Sequence, residues 1–147
     1  MEKITRPINK IILHCTATFA SQKVTMNDIK RWHVAENGWE DIGYHFIIDQ
    51  QGNVFEGRDI NKQGAHCKGF NQMSVGVCYI GGLEDETGAP KDTRTPEQKS
   101  AMMLLVKDLM RKIGLRIEHV HCHNEFSKRA CPCFSRADFV REYWQSL

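Results

Sequence analysis

Three observations predict an α/β fold. Two apolar runs, Lys10 to Cys15 and Ser74 to Ile80, are hydrophobic at both odd and even positions, as expected of strands covered on both faces. A stretch with a 3.6-residue apolar period lies between Thr95 and Gly114 and carries the start and stop signals of a helix. The chain has 147 residues, close to the roughly 150 of one domain, so a single core spanning 1–147 is expected.

The elements follow in order. Lys10-Ile11-Ile12-Leu13-His14-Cys15 is a central strand that delivers a histidine at its end. Thr25-Met26-Asn27-Asp28 reads as a helix start, with Thr25 as N-cap and Asp28 closing a capping box. Ile29, Trp32 and His33 share a face of that helix, which places His33 in the core, and Gly38 and Trp39 end it. Gly43 to Asp49 resumes a β pattern, with His45 expected inside; Gln50 to Asn53 turns the chain and Val54-Phe55 answers as a hairpin. From Gly57 to Asn71 no period is sustained, so this is an irregular surface excursion that includes His66, the kind of loop that commonly carries function. Ser74 to Ile80 is the second central strand, where Gly76 permits close approach, and Gly81-Gly82 end it. Leu83 to Arg94 is polar and turn-rich. Thr95-Pro96-Glu97-Gln98 supplies an N-cap, Pro at N1 and Gln at N3, and the helix should run to Ile113 with Gly114 beyond its end. Met102, Leu105, Val106, Leu109, Met110 and Ile113 form its core stripe. Leu115 to Cys122 is read as a further strand, with Ile117, His119, His121 and His123 on one side and Glu118, Val120 and Cys122 on the other. A short helix from about Ser135 to Trp144 closes the chain.

Composition excludes several classes of function. Lys plus Arg total 20 against 18 Asp plus Glu, a net charge of +2, which is too balanced for a nucleic-acid footprint. The first seven residues carry charges and a proline where an export signal needs an apolar stretch, and no run approaches the roughly 18 apolar residues of a membrane span. A product that is cytoplasmic as synthesised, without membrane insertion and monomeric, is expected. With 41% hydrophobic residues the core needs no covalent staples, so the six cysteines are expected to be free thiols, ligands or catalytic groups.

His123 and Cys131 lie eight residues apart, flanked by His121, Cys122 and Cys133, the densest group of soft donors in the chain. Zinc is the redox-neutral metal that imidazole and thiolate favour. The segment alone does not complete a structural zinc pattern, so a third ligand must come from elsewhere, and His14 at a strand end is the candidate. Three protein ligands leave a fourth position for water, as in a catalytic site. The alternative is that His14 and His123 are packed, hydrogen-bonded strand histidines and Cys131 a buried thiol.

Taken in sequence, Ile12-Leu13-His14-Cys15-Thr16-Ala17-Thr18, Arg31-Trp32-His33, Gly38-Trp39, Gly43-Tyr44-His45-Phe46-Ile47-Ile48, Gly57-Arg58, Gly64-Ala65-His66, Gly69-Phe70-Asn71, Ser74-Val75-Gly76-Val77-Cys78 and Cys131-Pro132 form a spaced series of blocks. The series resembles the type 2 N-acetylmuramoyl-L-alanine amidases, a family that includes amidase-type phage lysozymes and peptidoglycan recognition proteins. The resemblance implies a mixed central sheet flanked by helices. It also implies Zn2+ held by His14, His123 and Cys131, an active-site tyrosine at Tyr44, and hydrolysis of the amide joining the muramic acid lactyl group to L-alanine in peptidoglycan.

In the phage-lysozyme branch a lysine stands two residues before the ligand cysteine; here that position is Arg129, and Lys128 is one place earlier. Arginine is a fixed cation that stabilises an oxyanion without giving up a proton, whereas lysine can do either, so both residues are candidates to assist Tyr44. His66 is a candidate substrate contact or a loop-stabilising hydrogen bond. Arg58 would pair with a peptide-stem carboxylate or with Asp59 or Glu56. Asn71 is a weaker contact candidate, Trp39 would stack on a sugar or be buried, and His121 would orient a ligand. The same family supports an alternative, a non-catalytic peptidoglycan-binding module, against which Tyr44 and Cys131 together weigh. In either case the expected partner is peptidoglycan or a muropeptide, which a cytoplasmic product reaches through a pore or lysis, as suits an endolysin.

Overall fold

The computed structural model describes residues 3–36, 38 and 41–147. Its main sheet has five strands in the order β4-β3-β5-β1-β7, where β1 is Lys10–Cys15, β3 Phe46–Ile48, β4 Val54–Glu56, β5 Ser74–Tyr79 and β7 Val120–Cys122. The centre is parallel: β5 pairs with both β1 and β3, and β7 pairs with β1. Only β4 is antiparallel, joined to β3 by the hairpin that the sequence predicts. Two short strands, β2 (Thr18–Phe19) and β6 (Gly82–Leu83), pair beside this sheet. The result is the mixed sheet flanked by helices implied by the resemblance.

Alternation along β1 divides the interior. Ile11, Leu13 and Cys15 join Val75, Val77, Tyr79, Val120 and Cys122 in a core closed by α2 (Pro96–Ile113) and α3 (Arg136–Gln145). Ile12 and His14 therefore point to the opposite face. There, α1 (Met26–Arg31) covers a smaller cluster of Val24, Ile29, Ile42, Ile47, Cys78 and Ile80. One face is thus thickly covered by two helices, and the other is left thin enough to carry a cleft.

Each helix begins where the sequence places it. Thr25, Thr95 and Ser135 cap α1, α2 and α3 with complete capping boxes, and α2 ends on Gly114 in the left-handed region at φ 86°. Three boundaries differ. The β pattern of Gly43 to Asp49 narrows to the strand Phe46–Ile48. Beyond Arg31 the first helix continues as a π-helical turn, Trp32–Glu36. The strand expected from Leu115 is only three residues long, because Ile117–His119 form a 3-10 turn in which His119 Nδ1 accepts from the Arg116 amide at 2.9 Å. Among the described residues no helix is long and apolar enough to cross a membrane.

Two buried polar side chains fasten the sheet. Gln98 is fully buried; its Oε1 accepts from the Thr95 amide, while its Nε2 donates to the carbonyls of Ile48 at 3.3 Å and Ile80 at 3.0 Å. The helix cap therefore also satisfies the ends of two strands. His45 is 1% exposed, and its Nδ1 accepts from the Gly76 amide at 3.0 Å, which puts the ring proton on Nε2, where it meets the Lys62 carbonyl at 2.8 Å. Arg6 completes this corner by donating to the carbonyls of Ile60 and Ser74, each at 2.7 Å.

Gln98→Leu removes one arm of the capping box and leaves the Ile80 carbonyl without its side-chain donor, while the Ile48 carbonyl keeps the Ile80 amide, so it should lower unfolding free energy by about 1–3 kcal/mol in urea titrations. Burial lowers His45 from 6.5 to about 4. A second ring proton would have to sit on Nδ1, facing the Gly76 N–H. The unfolded chain thus takes up a proton that the native state refuses between those two values, and stability must fall as pH drops from 6.5 toward 4. The expected loss from this group is about 2 kcal/mol between pH 7 and pH 5, measurable as a lower urea midpoint.

Candidate metal centre and cleft

Parallel register brings the first two donors together. β1 and β7 pair Leu13 with Cys122, and one residue further along each segment stand His14 and His123, with ring centroids 4.6 Å apart. His123 lies in a 3-10 turn, His123–Glu125, rather than in the strand, so the predicted alternation stops before it. Cys131 reaches the same point from the following loop. That loop is pinned by Tyr79 Oη, which donates to the Pro132 carbonyl at 2.7 Å, and by Asn124 Nδ2, which donates to the Phe134 carbonyl at 3.0 Å. Arg94 anchors it from below, stacking 3.8 Å from the Phe134 ring centre while paired to Asp92 and Glu142.

One ligand atom from each of His14, His123 and Cys131 falls within 4.8 Å of the others. Tetrahedral zinc, with bonds of about 2.0–2.3 Å, holds its ligand atoms roughly 3.3–3.8 Å apart, so modest side-chain rotation closes the set. Two further observations fit a cation here. His123 Nδ1 is buried with no hydrogen-bond partner among the described residues. The Cys131 sulfur accepts the Cys15 amide N–H at 3.1 Å, a contact that suits a thiolate. Burial lowers His14 well below 6.5 and lowers His123 as well, so both imidazoles are neutral and able to ligate at neutral pH.

His66 does more than line a loop. Its Nδ1 lies 2.8 Å from His14 Nε2, and its Nε2 lies 3.2 Å from the Ser74 hydroxyl. The other ring nitrogen of His14, Nδ1, faces Cys131 at 3.9 Å. A Cβ at Gly64 or at Gly76 would come within 2.7 Å of the His66 ring, so two glycines, one in the middle of β5, form the slot that admits it. Asn71 Oδ1 accepts the amides of His66 and Cys67, each at 2.9 Å, and holds this part of the loop in place. The sequence offers a signal for this arrangement in glycines flanking the histidine in space, but only the fold brings Gly76 to it.

The cleft that opens on His14 and His123 measures about 890 Å³ and is lined also by His33, Tyr44, His66, Asn71 and Arg129, among others. Tyr44 packs against His14 with ring centres 5.2 Å apart. Burial, followed by the nearby Cys78, Cys131 and Cys15 thiols, raises Tyr44 well above the usual phenol value, so it stays a neutral hydroxyl donor. Arg129 lines the cleft, whereas Lys128 is exposed outside its lining. His33, expected in the core, instead borders the cleft beside Tyr44, with ring centres 5.2 Å apart, because the π-helical turn carries it there. Its Nδ1 accepts the Gly43 amide at 2.8 Å, which leaves the ring proton on Nε2.

Other candidates lie elsewhere. Arg58 donates to the carbonyls of Ile42, Asp41 and Gln63, borders a separate depression, and forms neither of the expected ion pairs with Asp59 or Glu56 among the described residues. His121 pairs with Glu125 at 3.1 Å. Trp39 falls outside the described residues. Cys15, Cys78 and Cys122 are buried thiols, as their strand positions imply.

Comparison with known proteins agrees with this geometry. Residues 4–134 match the family profile described as N-acetylmuramoyl-L-alanine amidase. The endolysin of Klebsiella phage KP32 is 39% identical over 137 residues, covering 93% of this chain and 85% of its own. The endolysin of Escherichia phage T7 is 38% identical over 135 residues, covering 92% and 84%. Among solved structures, the N-acetylmuramoyl-L-alanine amidase LysC from Clostridium intestinale superposes with a TM-score of 0.78 at 27% identity, covering 93% of this chain and 85% of that one.

Proposed function

We propose, from the premise that this chain belongs to the N-acetylmuramoyl-L-alanine amidase family, that it is a zinc-dependent amidase. Its substrate is peptidoglycan, cut at the amide between the muramic acid lactyl group and L-alanine. The observation that carries this reading is the convergence of His14, His123 and Cys131, two of which, the histidines, line the cleft. Those three residues would hold the ion, which supplies Lewis acidity and an ionisable water as nucleophile.

The remaining roles belong to the chain. Tyr44, neutral and packed on His14, offers its hydroxyl to the oxyanion that develops on the scissile carbonyl. Arg129 supplies a fixed positive charge at the same cleft and, unlike lysine, takes no part in proton transfer. His66 acts through His14. His14 Nδ1 faces Cys131, its Nε2–H donates to His66 Nδ1, and His66 Nε2–H donates in turn to the Ser74 hydroxyl, so that His14 would be held in one orientation were a metal bound. This chain fixes the ring of a ligand with neutral partners. Arg58, bound to three carbonyls, shapes the loop rather than the chemistry.

Purified cell wall incubated with the protein should release peptides with a free L-alanine amino group, with release abolished by a chelator and restored by zinc. Binding without release would instead indicate a recognition module. In the same assay Arg129→Ala should lose about a hundredfold to a thousandfold in rate, the usual cost of one oxyanion donor, while Lys128→Ala stays within about twofold. His66→Ala should weaken zinc affinity about 10- to 100-fold in chelator competition, the usual cost of losing a partner behind a metal ligand, with the fold retained by circular dichroism.

A further inference from the structure

Cys133 is the second cysteine of the loop that carries Cys131. Its Sγ lies 3.9 Å from Cys15 Sγ and 3.3 Å from the Gly82 carbonyl. Gly82 makes the space: a Cβ there would stand 2.6 Å from Cys15 Sγ and 3.6 Å from Cys133 Sγ. Cys133 also keeps a side chain at φ 70°, in the left-handed region where glycine or asparagine is commoner. The two thiols are 118 residues apart in sequence. Cys15 directly follows His14, and Cys133 comes two residues after Cys131.

We propose that Cys15 and Cys133 are an oxidisable dithiol whose disulfide braces the two segments that carry the clustered donors. Bringing the sulfurs from 3.9 Å to bonding distance, about 2.05 Å, is a movement within reach of side-chain rotation. Cys133 is half-buried and Cys15 buried, which sets the order of events. The Cys133 thiolate attacks one sulfur of a small-molecule disulfide such as oxidised glutathione and expels the first glutathione thiol. Cys15, after giving up its proton, attacks the Cys133 sulfur of the mixed disulfide and expels the second. Two protein thiols thus become one disulfide, and one glutathione disulfide becomes two thiols. Exchange is followed over a day at pH 8.5, where more thiolate is available to attack. This chemistry needs only the chain's own thiols and is independent of the amidase reading.

The test is incubation of the native protein, in zinc-supplemented buffer, with oxidised glutathione. The expected result is a loss of 2 Da in intact mass, four titratable thiols of the original six after denaturation, and a bridge between the tryptic peptides 11–23 and 130–136. Cys133→Ser and Cys15→Ser should each keep all five remaining thiols, and the oxidised wild type should melt several degrees higher, since the bond closes a long loop. Six thiols surviving in the wild type would overturn the proposal. So would a bridge that persists in Cys133→Ser, which would assign Cys131 as the partner, or a fall in melting temperature on oxidation.

Discussion

The register between β1 and β7 is the constraint from which the cleft is built. Pairing Leu13 with Cys122 buries both in the core under α2 and α3. By alternation His14 then has to face the thinly covered side, and the 3-10 turn that follows Cys122 sets His123 beside it. A slip of one residue would turn His14 into the helical core and Leu13 toward the cleft, because strand side chains alternate. The register is held by apolar burial on one face of the sheet, while the chemistry sits on the other. Packing energy is thereby turned into the placement of the two histidines, and the loop bearing Cys131 is tied down by Tyr79, Asn124 and Arg94 beside them.

Much of the scaffold was legible in the sequence because its signals are local. The capping residues of all three helices, the left-handed Gly114 and the two-sided burial of β1 and β5 depend on residue type over a few positions. What could not be read were facts of juxtaposition. Gln98 was recognisable as a capping residue, yet its bonds to Ile48 and Ile80 exist only once α2 lies across the strand ends. The strand expected from Leu115 shortened because a histidine side chain captured a backbone amide and favoured a 3-10 turn, a competition that alternation alone does not reveal.

The cleft shows the same division. The donors His14, His123 and Cys131 were named from residue type and resemblance, and the fold brings all three together. The α period places His33 on the core face, whereas the π turn rotates that face toward the cleft. The choice between Arg129 and Lys128 at the rim turned on a loop whose path local sequence does not specify, and only Arg129 lines the cleft. His66 was expected to face either the substrate or its own loop, but its ring lies between His14 and Ser74.

Gly76 shows that the boundary between scaffold and chemistry does not coincide with the cleft surface. It sits in a fully buried central strand, where a residue without a side chain looks like a weak point in the core. Its missing Cβ is the space that His66 occupies. A stabilising alanine introduced there by a designer, or drawn at random in a library, would act as a lesion of the histidine chain while changing no residue that solvent can reach. Exposure alone therefore does not separate the positions that pack this fold from those that shape its cleft, since Gly76, buried in β5, makes the slot for a histidine that lines the cleft.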